Sequence, residues 1–160
     1  MGSLQDELQQ RRPFRSLEEE AALNLMRTVS LLDERGTELM RQYGLTLSQY
    51  NVLRILRGAG EAGLGRNQIG DRMITRAPDI TRLLDRMEAA GLVHRVRSTA
   101  DRRCVPTLLT DKGRALVDAL DGPSAALQHA NFGHLSQGQL ITLIETLTQI
   151  RGHLPAGRTE

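Results

Sequence analysis

The stretch Thr75-Arg76-Ala77-Pro78-Asp79-Ile80-Thr81-Arg82-Leu83-Leu84-Asp85-Arg86-Met87-Glu88-Ala89-Ala90-Gly91-Leu92-Val93 decides the fold. Ile80, Leu83, Leu84 and Met87 recur at spacings of three and four, which places them on one apolar face of a helix. Ala77-Pro78 is expected to open that helix, because proline is tolerated at the first helical position, where its missing N–H has no partner to lose. Gly91 is expected to close it after Ala90. The other side presents Pro78, Arg82 and Asp85, flanked by Asp79, Thr81 and Arg86. Taken alone, that charged side is either the solvated face of any amphipathic helix or a surface built for a partner.

Working outward, residues 67–73 read as a short helix with Ile69 and Met73 inward, joined to the long one by Ile74-Thr75-Arg76. Downstream, residues 92–97 and 104–109 have strand character, and the polar stretch 98–103 reads as a hairpin tip. Pro106 cannot donate to a sheet ladder, so its strand is expected at an edge or interrupted there. The order helix, short helix, turn, longer helix, hairpin is a helix-turn-helix extended by a wing. Before it, Thr46-Leu47-Ser48-Gln49 has capping-box spacing and introduces a helix bearing Val52, Leu53 and Leu56. Residues 58–65 hold four glycines and read as a loop. Ser16-Leu17-Glu18-Glu19 opens a long helix with Ala22, Met26, Val29, Leu32, Leu39, Met40 and Tyr43 among its apolar positions. Gly36 weakens its middle, and Gly44 ends it as a left-handed cap.

After the hairpin, Thr110 caps a helix with Leu116, Val117 and Leu120, which Gly122-Pro123 breaks or kinks. A further helical stretch follows, with a loop around Gly133. Ser136-Gln137-Gly138-Gln139 opens a last helix bearing Leu140, Leu143, Ile144, Leu147 and Ile150, ended by His153-Leu154-Pro155. The expected architecture is mainly α with a small β-hairpin wing. Residues 1–15 form a flexible arm and 154–160 a flexible tail; 45–110 form the winged helix-turn-helix unit, and 16–44 with 111–153 a helical dimerisation region.

Composition narrows the function. Apolar residues make up 39% and charged residues 25% of the 160, which supports a packed core and not a disordered chain. Aromatic residues are only 2%, so the core is aliphatic and suits packed helices. It also argues against single-strand binding on exposed rings. No run approaches the roughly 18 apolar residues that a membrane span needs, and the polar start lacks a signal-peptide segment, so a cytoplasmic protein without membrane contact is expected. One cysteine cannot close an intrachain disulfide, in keeping with a reducing compartment. The net charge of +2 conceals an uneven distribution: residues 66–114 hold eleven Lys and Arg against six Asp and Glu. A basic middle suggests contact with a polyanion.

The hairpin turns that suggestion towards duplex DNA. Arg95, Arg97, Arg102 and Arg103 fall within nine residues, with His94 beside them and Asp101 as the one opposing charge. A major groove about 12 Å wide admits one helix, and a basic hairpin beside it reaches phosphates or the adjacent minor groove. Arg76, Pro78, Asp79, Thr81 and Arg82 sit where the N-terminal half of the second helix meets base edges. Arg82 suits paired bonds to guanine. Asp79 suits cytosine or the orientation of an arginine, and Thr81 a phosphate or a thymine methyl. Arg86, Arg95, Arg97 and Arg102 are the remaining basic contacts expected.

Residues 75–93 resemble the recognition helix and first wing strand of MarR-type regulators. Asp101-Arg102-Arg103, followed by Leu109-Thr110-Asp111-Lys112-Gly113, resembles the wing signature of the same family. The motifs cover about a third of the chain, and the flanking helices fit the family in order and length. The resemblance implies a homodimeric winged-helix transcription regulator, often a repressor released by a small anionic or phenolic effector and sometimes by thiol oxidation. It also implies that Asp101 braces the wing tip and that Arg103, paired with it, is directed towards the minor groove. Ile74 stands where many helix-turn-helix turns carry glycine, and Cys104 and Pro106 stand where aliphatic residues are usual. Cys104, beside Arg103, reads either as a buried strand residue or as a thiol with a lowered pKa.

Two recognition helices about 34 Å apart meet successive major grooves, so a closed dimer predicts a palindromic operator. Leu140, Leu143, Ile144, Leu147 and Ile150, with the helix at 17–43, are the intersubunit residues expected. His129 and His134 lack single-face geometry for a metal, no cofactor motif occurs, and no phosphate loop or catalytic constellation is evident, so a non-enzymatic protein is expected. The alternative is a winged-helix protein-interaction module without specific DNA binding.

Overall fold

A computed structural model describes residues 2–75, 79–96 and 105–155. The chain divides into two compact units, Met1–Asp121 and Gly122–Glu160. In the first, α1 spans Leu4–Glu7, α2 Leu17–Gln42, α3 Leu47–Ala59, α4 Arg66–Arg72, α5 Ile80–Ala89 and α6 Asp111–Ala119, with a 3-10 turn at Gly60–Ala62. Strands β1 (Val93–Arg95) and β2 (Thr107–Leu109) pair antiparallel, Val93 opposite Leu109 and Arg95 opposite Thr107. α7 spans Asp121–Phe132 and α8 Gln137–His153.

The helix starts follow the capping chemistry. Thr46 accepts the Gln49 N–H while Gln49 accepts the N–H of Thr46, and Ser136 with Gln139 repeats the exchange. At α2 the box is half made: Ser16 accepts the Glu19 N–H, but the Glu19 carboxylate takes the N–H of Arg15 (2.6 Å) and its guanidinium (2.8 Å). The extra cation one residue earlier outcompetes a neutral N–H, and it holds the Glu19 carboxyl below its ordinary range. The stretch expected as a loose arm contains an ordered turn, α1, because Ser3 and Asp6 cap each other and Leu4 is buried.

One core lies between α2, α3, α4, α5, the hairpin and α6. Val52, Leu53, Leu56, Ile69, Leu84, Met87, Val93, Val117 and Leu120 are essentially inaccessible to solvent. At Gly36 a side chain would press on Leu47, so the glycine expected to weaken α2 instead admits the start of α3. The hairpin strands are three residues each, shorter than the runs expected. Pro106 lies just outside β2, and its carbonyl accepts the Val96 N–H at 3.0 Å. β2 also exchanges two backbone hydrogen bonds with Leu64, so its second edge is occupied. That bridge lies inside the glycine-rich stretch read as a loop.

α7 begins at Asp121, right after the C-cap Leu120 of α6, so Pro123 falls in its first turn, where proline costs no hydrogen bond. α7 and α8 bury no residue fully. Ile141, Leu143, Ile144 and Ile150 of α8 are exposed, as are Leu17, Leu25, Met26, Val29 and Leu31 of α2. Among the described residues no helix is long and apolar enough to cross a membrane.

Candidate nucleic-acid interface

α5 begins two residues later than its proline suggested. Asp79 is the N-cap of α5, its carboxylate accepting the Arg82 N–H at 3.0 Å. An aspartate at this position satisfies a free N–H and places a negative charge at the positive end of the helix dipole. Arg76, Ala77 and Pro78 lie outside the described residues. Leu83, Leu84 and Met87 are buried and Ile80 packs against them, which fixes the rotation of the helix and sends Thr81, Arg82, Asp85 and Arg86 outward.

Arg82 is the most prominent of these, with 84% of its side chain exposed and its Nε 3.1 Å from Asp79. Asp79 therefore orients an arginine, one of the two roles its position suggested. Arg86 folds back along the helix, its Nε donating to the Arg82 carbonyl at 3.3 Å. The Thr81 hydroxyl accepts from Arg66, at the start of α4, at 3.3 Å. That bond spans the two helices of the motif.

The turn between α4 and α5 is held from α3. Asn51 accepts the Ile74 N–H at 2.9 Å. Among the described non-glycine residues only Gln9 has a positive φ, so the turn does not require the glycine that many such motifs carry at the Ile74 position. The Ile74 side chain is 84% exposed.

Arg95, expected among the basic contacts of the hairpin, is paired with carboxylates of α5. Its guanidinium lies 2.6 Å from Asp85 and 3.8 Å from Glu88, and its own N–H donates to Glu88 at 3.0 Å. Only 28% of its side chain is exposed. It closes one wall of a cleft of about 480 Å³ shared with Arg66, Thr81, Glu88 and Thr107. Arg97, Asp101, Arg102, Arg103 and Cys104 lie outside the described residues, as does the expected Asp101–Arg103 pair.

The end of α5 is fastened to the start of α6. The Thr110 hydroxyl donates to the Gly91 carbonyl at 2.7 Å while accepting the Gly113 N–H, and Lys112 donates to the Ala90 carbonyl at 2.8 Å. Gly113 has no alternative here, since a Cβ would overlap the Leu92 carbonyl oxygen. Sequence reasoning missed Asn51, Arg66 and Lys112 as organisers of the site. Their partners are 23, 15 and 22 residues away, beyond any local spacing rule.

These elements define a winged helix-turn-helix protein: an amphipathic second helix with an exposed arginine, paired to the N-cap aspartate, at its first turn, a short first helix bonded to it, and a hairpin fixed behind it. The model of the MarR family matches residues 45–105. The transcriptional regulator TtmR of Methylorubrum extorquens is 36% identical over 126 residues; the match covers 76% of this chain and 62% of that longer relative. A MarR transcription factor from Planctomyces limnophilus is 39% identical, with a TM-score of 0.66 over 86% of this chain and 99% of its own. A Staphylococcus aureus MepR–DNA complex shares the fold at 24% identity, with a TM-score of 0.74 over 82% of this chain and 96% of its own. The chain belongs to the MarR family of transcriptional regulators.

Proposed function

We propose that this chain works as a homodimeric repressor that reads duplex DNA with α5 and is released by a small effector. The observation that carries the reading is Arg82: a guanidinium held by an N-cap aspartate at the first turn of α5, on a helix whose opposite side is locked into the core. Paired guanidinium donors match the O6 and N7 acceptors of guanine, and one such pair discriminates by about 1–3 kcal/mol. Arg76, Pro78, Asp79, Thr81 and Arg86 complete the helix contacts, and Arg97, Asp101, Arg102 and Arg103 those of the wing.

Residues 45–110 form the DNA-binding unit, and 16–44 with 111–153 the dimerisation region. The support for pairing is the exposed apolar series of α8, which its own unit leaves uncovered. For the effector, the support is a groove along α2 lined by Leu25, Met26 and Val29 with Asp33, Glu34 and Glu38. Three carboxylates there disfavour an anion, so a neutral phenolic compound is the better match. A cytoplasmic location and a role without catalysis complete the reading.

The test is retention of promoter fragments by the purified protein across a salt series. Affinity is expected to fall steeply between low and moderate salt as counterions are released. Arg82→Ala is expected to erase discrimination at one base pair, whereas Arg103→Ala weakens binding to all fragments alike and leaves the dimer intact. A salt-insensitive protein that retains no duplex supports the rival reading, a module for protein contacts.

A further inference from the structure

Arg95 lies in the basic hairpin, yet its geometry is that of a strut. We propose that Arg95 is a positioning residue, which sets the angle of the wing against the recognition helix through Asp85 and Glu88 and makes no contact with DNA itself. This rests on the reading of α5 as the DNA-reading helix.

Three contacts converge on one residue. The guanidinium sits 2.6 Å from Asp85 and 3.8 Å from Glu88, and the backbone N–H of Arg95 donates to Glu88 at 3.0 Å. Asp85 and Glu88 are three apart on α5, so both carboxylates face the same side. Arg95 is the last residue of β1, on the strand that packs beside α5. Asp85 and Glu88 offset the charges of Arg95 and of Arg66 across the cleft, so this spot carries no excess positive charge to draw a phosphate. A guanidinium already committed to two carboxylates would have to abandon both to reach DNA. Held where it is, it joins the strand that begins the wing to the outer face of α5. Two tethers on one helix fix a direction where a single tether would leave a swivel.

The planar fork matters to this role. A lysine keeps the charge and the backbone bond to Glu88, but without the planar fork it cannot bond Asp85 and lie beside Glu88 in one fixed orientation as arginine does. A phosphate contact makes no such demand.

The experiment measures operator affinity over a salt series for wild type, Arg95→Ala, Arg95→Lys, Asp85→Ala and the double variant Arg95→Ala/Asp85→Ala. Positioning predicts an affinity loss of about tenfold for Arg95→Ala, little rescue by Arg95→Lys, an unchanged salt slope, and a double variant no worse than Arg95→Ala, since coupled residues are not additive. A direct phosphate contact predicts rescue by lysine and a log–log salt slope shallower by about 0.9 in Arg95→Ala; either result overturns the proposal. Amide hydrogen exchange of the protein alone gives a second readout. Residues 93–95 are expected to exchange faster in Arg95→Ala and Arg95→Lys than in wild type, and unchanged exchange also overturns the strut. Loss of duplex retention in wild type, with faster exchange in the variants, would sink the DNA reading and leave the strut standing.

Discussion

Helices α5 and α8 carry similar aliphatic residues at similar spacings and meet opposite fates. In α5 the stripe Leu83, Leu84 and Met87 is buried among α3, α4 and the hairpin. In α8 the residues Ile141, Leu143, Ile144 and Ile150 are exposed, and no residue of the helix is fully buried. The difference is one of neighbours. α5 lies between α4 and β1 in one core with α3, so apolar residues of all three close over its stripe. α8 follows a turn at Gly133, and among the described residues of its unit α7 is the one other helix. The same pattern therefore supplies a folding core in one place and an unmet surface in the other. In the dimer proposed above, that surface is met by a second copy.

The largest effect that tests this contrast is at Leu84, 1% exposed. Leu84→Ala is expected to cost about 2–5 kcal/mol in urea unfolding, the transfer term plus the cavity left behind. Ile144→Ala, at a site 62% exposed, is expected to change the unfolding of a dissociated chain by about 0.5 kcal/mol or less. Reversal of that order would break the comparison.

Next in size is the pair Leu143→Asp/Ile144→Asp. Burying charge in a pairing surface should raise the dimer dissociation constant at least tenfold, as loss of buried apolar anchors does. Sedimentation velocity is expected to show a smaller species with unchanged helix content, and a dimer that persists would remove α8 from the interface. Smaller again, Thr110→Val removes the cap of α6 and the bond to Gly91 together. It is expected to lower stability by about 1 kcal/mol, read as a shift in melting temperature, with the mass of the dimer unaltered.

The smallest effect is one of pH. The Arg57 guanidinium, 2.8 Å from Asp121 and 2.9 Å from Asp118, holds the Asp121 carboxyl below its ordinary value. A carboxyl depressed in the folded state stabilises above its unfolded pKa, and the contribution disappears as pH falls through the folded one. Melting temperatures of wild type and Asp121→Asn are therefore expected to differ by a constant amount near neutrality and to converge in acid. Both residues are solvent-accessible, so the constant difference is small.

How far the sequence carried depended on distance along the chain. Helix starts at Thr46 and Ser136 were legible because both partners of each box lie three residues apart. The stripes of α3 and α5 were legible because their periods are local. Leu64 was not: it is one apolar residue between Gly63 and Gly65, and only its bridge to Thr107, 43 positions away, makes it part of the sheet. The partners of Arg95 were hidden for the same reason, since charge counting sees the four arginines of the hairpin but not the two carboxylates that α5 offers from seven and ten residues back. Pro78 misplaced the first turn of α5, because Asp79 is the stronger start: its side chain supplies a hydrogen bond, whereas proline merely tolerates the position.

The fastening of α5 to α6 has a mechanical consequence. Thr110 and Lys112 grip the carbonyls of Gly91 and Ala90, and bare Gly113 lets the two backbones touch at Leu92. There is no slack in that joint to absorb a twist. A rotation imposed on the first turn of α6 is therefore expected to reach the C-terminal end of α5 directly, as through a hinge pin welded to the door.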